Sequence, residues 1–111
     1  MSMNKTNLLN KRCSPQHAGS TALSADEVNH HLRDLKGWMQ KALTIEKTYV
    51  FKDFKNAICF VNQVAEVAEK EDHHPDIAIY YSKVILTLWT HTVKGLTEND
   101  FIVAAKIDAL N

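Results

Sequence analysis

The sequence predicts an α+β fold, a four-stranded antiparallel sheet with three helices on one face, in the order helix-strand-strand-helix-strand-strand-helix. Three observations carry that expectation. Two capping-box patterns, Ser24-x-x-Glu27 and Thr97-x-x-Asp100, each open a helix. Between them Phe54, Ala57, Ile58, Val61, Val64, Ala65 and Ala68 recur at three- and four-residue spacing, the period of an amphipathic helix. On either side of that helix lie segments rich in β-branched and aromatic residues, each long enough for two strands.

Taken in order, residues 1–20 mix Asn, Ser, Lys, Gln and Gly with few large apolar side chains. They have little to bury, so a flexible or surface-pinned tail is expected there and a single domain over 21–111. Leu23 and Val28 sit at the staple positions of the first cap, and Val28, His31, Leu32 and Leu35 share one helical face until Gly37 stops the helix. After Trp38, residues Leu43, Ile45, Tyr49 and Phe51 alternate with Thr44, Glu46, Thr48 and Val50. This is a strand, preceded by a short partner around Trp38 to Lys41.

Asp53 is the expected N-cap of the long helix, which runs into the acidic stretch Glu69, Glu71 and Asp72. Pro75 disfavours helical geometry at His74, so His73 and His74 belong to the loop that follows. Strands are expected from Asp76 to Tyr81 and from Val84 to Thr90, joined by a turn at Ser82-Lys83. Leu96 and Phe101 staple the second cap, and Ile102 and Ala105 carry the last helix to Leu110.

Composition narrows the function. Thirteen basic and thirteen acidic residues cancel in a chain of 111, which leaves no basic stripe for nucleic acid and is compatible with self-association. Cys13 and Cys59 form no Cys-x-x-Cys pair and are expected as free thiols. No apolar run approaches the roughly twenty residues that span a bilayer, and no apolar secretory segment opens the chain, so a cytoplasmic location is expected.

Six histidines are present. His17 lies in the tail, and His30 and His31 lie on a surface helix, where solvation explains them. His73, His74 and His91 are different, because the strand that ends near His91 pairs with the strand that the His73-His74 loop feeds. Imidazole titrates close to neutrality, so the group reads as an acid-base device with the preceding carboxylates as tuning charges. Two other readings remain open at this point. The pair could simply complement a helix C-terminus, and a three-histidine metal site would need a ligand spacing that this chain does not share with common zinc patterns.

Glu69-x-x-x-His73-His74-Pro75, then five residues to Tyr81, nine to His91 and eight to Asp100, resembles the signature of the pterin-4a-carbinolamine dehydratase family. The likeness spans Leu23 to about Leu110 and includes the Gly37-Trp38 step. It implies a lyase that removes water from a 4a-hydroxytetrahydropterin to give quinonoid dihydropterin, with neither a cofactor nor a metal. By this resemblance His73, His74 and His91 are catalytic, with His73 and His91 as the acid-base pair and His74 binding or polarising the substrate. Glu69 and Asp72 would orient the imidazoles and Pro75 would shape the loop. Trp89 could line the pterin plane, although an aromatic in a sheet is more often core and core packing is favoured for it, and Thr90 and Thr92 would flank the site. The expected partners are a pterin, a further copy of the chain in a homodimer or homotetramer, and, functionally, an aromatic amino acid hydroxylase. The alternative is a non-enzymatic dimerisation cofactor, since mammalian members of the similar family also bind a homeodomain transcription factor.

Overall fold

A computed structural model describes residues 8–16 and 20–110. Helix α1 spans Ala25–Leu32, strands β1 and β2 span Met39–Lys41 and Thr44–Val50, helix α2 spans Phe54–Glu71, β3 and β4 span Asp76–Tyr80 and Lys83–Leu88, and α3 spans Glu98–Asp108. All pairings are antiparallel and the strand order is β1-β2-β4-β3. The expected architecture is therefore observed.

Alternation along the central strands decides which sheet face is covered. Ile45 and Tyr49 of β2 and Val84, Leu86 and Leu88 of β4 are buried, and they join Ala57, Phe60 and Val64 of α2 in one core. α3 differs from the other helices in being buried nearly all round, from Asn99 to Ala105 and again at Ile107. Such a helix needs neighbours on every side. Phe101, Ile102 and Val103 supply its packing surface, and at its C-terminal end Asp108 takes hydrogen bonds from Trp38 Nε1 and Lys47 Nζ at 3.1 and 2.9 Å and from the Tyr49 hydroxyl. Burial, then the Asp108 carboxylate, raises the Tyr49 pKa, so the phenol stays a donor.

The capping expectations hold at atomic detail. Ser24 and Glu27 exchange both bonds of their capping box, and Asp53 accepts from the Asn56 N–H at 2.9 Å. Three boundaries differ from expectation. α1 ends at Leu32 rather than near Gly37, because the N–H groups of Asp34 and Leu35 turn to the carbonyls three residues back, at 3.1 Å each. Gly37, at φ +83°, then makes the turn toward β1.

The second hairpin turns at Tyr81-Ser82, not Ser82-Lys83, since Tyr80 pairs with Lys83 and Tyr81 takes a left-handed φ of 54°. Nothing in its sequence announces a left-handed residue, because Asn or Gly is the usual signal. β4 stops at Leu88 rather than Thr90; the chain leaves the sheet and makes a single 3-10 turn over His91–Val93. A bridge between Thr90 and Gly95 closes that turn.

Of the expected N-terminal tail, residues 8–16 lie against the domain, with Leu8 only 2% exposed in the core. His17 falls outside the described residues. Among the described residues no helix is long and apolar enough to cross a membrane.

Candidate active site

The long helix delivers the histidine pair through a specific C-terminal turn. Asp72 adopts a left-handed conformation at φ 53°, and the His73 N–H reaches back to the Ala68 carbonyl at 3.1 Å, a bond of the Schellman type. Aspartate tolerates this conformation better than most side chains. The reversal aims His73 back toward α3, where its Nε2 lies 2.6 Å from Asp100 Oδ1.

Asp100 is fully buried, and its second oxygen accepts from the Thr97 N–H at 3.0 Å and from Thr90 Oγ1 at 2.8 Å. The same carboxylate thus caps α3 and fixes both the His73 ring and the residue that precedes His91. Thr90 Oγ1 is also 2.7 Å from Thr97 Oγ1, so the buried hydroxyls complete one polar network. This network links the loop after α2 to the turn after β4.

His74 points elsewhere. Its Nε2 lies 2.6 Å from Glu69 Oε2, one helical turn earlier, and both side chains are solvent-exposed. His91 is exposed, and its ring packs against Trp89 with centroids 4.1 Å apart. Trp89 is itself half-buried against the core, so packing and lining of the site coexist in one side chain. Pro75 is half-buried where the loop enters β3.

Because each paired Nε2 faces a carboxylate acceptor, Nε2 carries the hydrogen in both contacts, and Nδ1 is the nitrogen left to exchange a proton. Of the site residues expected from sequence, Asp72, Thr90 and Thr92 also line a cavity of about 190 Å³. Drug-sized ligands occupy roughly 300 Å³ or more, so this cavity fits a small heterocycle or one end of a larger molecule. Among the described residues no group of three or more His, Cys, Asp or Glu side chains is arranged to hold a metal ion.

The sequence reading missed several residues around this cavity. Glu71 and Asn99 line it, as do residues 13–16 of the N-terminal segment. The Glu71 side chain is buried, 2% exposed, and accepts from the Cys13 N–H at 2.9 Å, with Arg12 Nε and Lys106 Nζ each at 3.0 Å. Burial acts to raise its pKa, but the Cys13 N–H, Lys106 and Arg12 together outweigh burial and hold the carboxyl at about 2. An acidic helix end was legible; that one member faces inward was not, because its cations lie 35 and 59 positions away (106 − 71 and 71 − 12).

His31, expected to be solvated, is half-buried and stacks on Phe101 with centroids 4.9 Å apart. Its Nδ1 is buried without a hydrogen bond, and burial lowers its pKa.

Residues 21–110 match the family described as Pterin 4 alpha carbinolamine dehydratase. A protein of Nitrosospira multiformis named "Putative pterin-4-alpha-carbinolamine dehydratase" is 44% identical over 103 residues, covering 93% of this chain and 91% of its own. Among solved structures, a transcriptional coactivator/pterin dehydratase from Brucella melitensis superposes with a TM-score of 0.78 at 40% identity, over 81% of this chain and 98% of that one. A pterin dehydratase-like protein identified as a RuBisCO assembly factor in the alpha-carboxysome shares the fold at a TM-score of 0.55 and 21% identity, over 86% of this chain and 95% of that one.

Proposed function

The chain belongs to the pterin-4a-carbinolamine dehydratase family, and from that premise we propose that its histidines dehydrate a 4a-hydroxytetrahydropterin to quinonoid dihydropterin by general acid-base catalysis. The reaction needs little else. Hydroxide leaves C4a poorly unless an acid protonates it as the C4a–O bond breaks. A base takes the N5 proton, the N5 lone pair forms the C4a=N5 bond, and water departs.

His73 and His91 serve as the acid-base pair, and His74 binds or polarises the substrate. The observation that carries this reading is Asp100, whose two oxygens hold His73 and Thr90 at 2.6 and 2.8 Å and so couple the two histidine-bearing segments. Glu69 orients His74 by the equivalent contact at 2.6 Å. Asp72 and Thr90, the chain neighbours of His73 and His91, line with Thr92 a cavity whose wall includes none of the three histidines, and in this reading the substrate extends into it from them; Trp89 backs His91, and Pro75 sets the loop.

The physiological setting in this reading is cytoplasmic recycling of the pterin used by an aromatic amino acid hydroxylase, by a homodimer or homotetramer. Purified protein should accelerate carbinolamine dehydration with no added metal, and a chelator should leave the rate unchanged. A rate that follows bound metal, measured by elemental analysis, would refute the imidazole mechanism.

A second reading is an interaction module. It is favoured by the uncovered β3 edge, where Tyr80 and Tyr81 are 61% and 68% exposed, and by the coactivator role in the name of the Brucella relative. Under it, partner binding would survive loss of the histidines.

A further inference from the structure

We propose that residues 13–16, which lie ahead of the family match at 21–110, form a wall of the substrate cavity and select the C6 substituent of the pterin; the proposal rests on the dehydratase reading.

The segment is held by a clasp built for its backbone. The Asn99 side-chain amide accepts from the Ser14 N–H at 3.0 Å and donates to the Ser14 carbonyl at 2.7 Å. Both polar groups of one residue are satisfied by a single buried asparagine. One residue earlier, the Cys13 N–H donates to buried Glu71 at 2.9 Å, and Cys13 Sγ contacts the Asn99 carbonyl oxygen at 3.6 Å. Arg12 adds a contact to the Lys70 carbonyl at 3.1 Å, and Lys11 pairs with Glu98 at 2.7 Å. Burial and then Glu71 push the Cys13 thiol up to about 12, so it stays protonated and inert at neutral pH. These contacts place the strap; none of them performs chemistry.

What the strap encloses is the cavity bordered by Asp72, Thr90 and Thr92. Asp72 and Thr90 are the chain neighbours of His73 and His91, whereas the strap belongs to a remote part of the sequence. With C4a and N5 held at the histidines, the part of the substrate that extends to the strap is remote from the reacting bond. The bicyclic ring is common to every substrate of this reaction and must be gripped by the common part of the fold. The C6 substituent is the variable part, and the polar groups it would meet are the Ser14 hydroxyl and the Gln16 amide, which itself donates from Nε2 to the Ser14 carbonyl at 3.2 Å.

The test compares two 4a-hydroxytetrahydropterins, one with a hydroxylated C6 side chain and one with none, in the full chain and in Gln16→Ala. Loss of a hydrogen bond predicts a KM about fivefold higher for the side-chain substrate. KM for the unsubstituted substrate and kcat for both should stay within about twofold. Equal changes for both substrates, or none, would overturn the proposal. Quenching of tryptophan fluorescence by the two corresponding dihydropterins reads binding apart from turnover. A protein that discriminates them through the strap yet dehydrates neither substrate would sink the dehydratase reading alone. Failure to discriminate in binding would sink the strap proposal.

Discussion

Asp100 occupies the third position of α3 and has a capping role that would by itself account for an aspartate there. Its other oxygen, 2.6 Å from His73 Nε2, adds a functional role. The two can be separated. Asp100→Asn preserves shape and can still accept from Thr97, but it replaces the anionic partner of His73. It should lower kcat by about 10- to 100-fold, the usual cost of losing a partner that orients a functional imidazole, while the melting temperature falls little. A large fall in melting temperature with unchanged kcat would make Asp100 structural only. Glu71 offers a pH test. Its folded pKa of about 2 lies below the ordinary 4.5, so it stabilises the fold above about pH 4.5, and this contribution is lost as pH falls toward 2. Glu71→Gln should therefore reduce stability at pH 7 and flatten its acid dependence, as urea melts at several pH values would show. His31 also has a lowered pKa, so protonation favours the unfolded chain and stability falls as pH drops below the ordinary 6.5. His31→Phe should remove that loss.

Among the elements, α2 was readable because its period and its Asp53 cap agree, and both are local signals. The end of β4 was not. β-branched and aromatic residues continue through Trp89 and Thr90, yet the chain leaves the sheet after Leu88 because Thr90 bridges Gly95 and bonds Asp100. Those partners lie beyond any strand pattern. His91 consequently sits on a 3-10 turn rather than at a strand end. The strap was opaque for a related reason. Its side chains are small and polar, and what fixes it is backbone bonding to Asn99 and Glu71, which leaves no apolar period to read. α3 is the element on which stability depends most. Phe101 is fully buried, and Phe101→Ala should cost about 3 to 5 kcal/mol, measurable as a shift in the denaturant midpoint.

For the whole molecule, fold class and the order of elements along the chain were legible because periodicity and caps point to one topology, whereas the β1-β2-β4-β3 order within the sheet and the site of the second turn were not. The candidate site was legible only in part: histidine spacing marks the segments, but the carboxylate that joins them is visible only once α3 is packed beneath the sheet. The uncovered β3 edge, with Ile77 and Ile79 each 37% exposed, is where a second copy would pair. Light scattering should give a dimer or tetramer, and Ile79→Lys should shift it toward monomer. Dehydratase action through the two segments joined by Asp100 is the central claim, and the rate of carbinolamine dehydration by His73→Ala/His91→Ala tests it most directly. The double variant should keep the native circular dichroism spectrum and lose about 10²- to 10⁴-fold in kcat. Full activity in that variant would contradict the account.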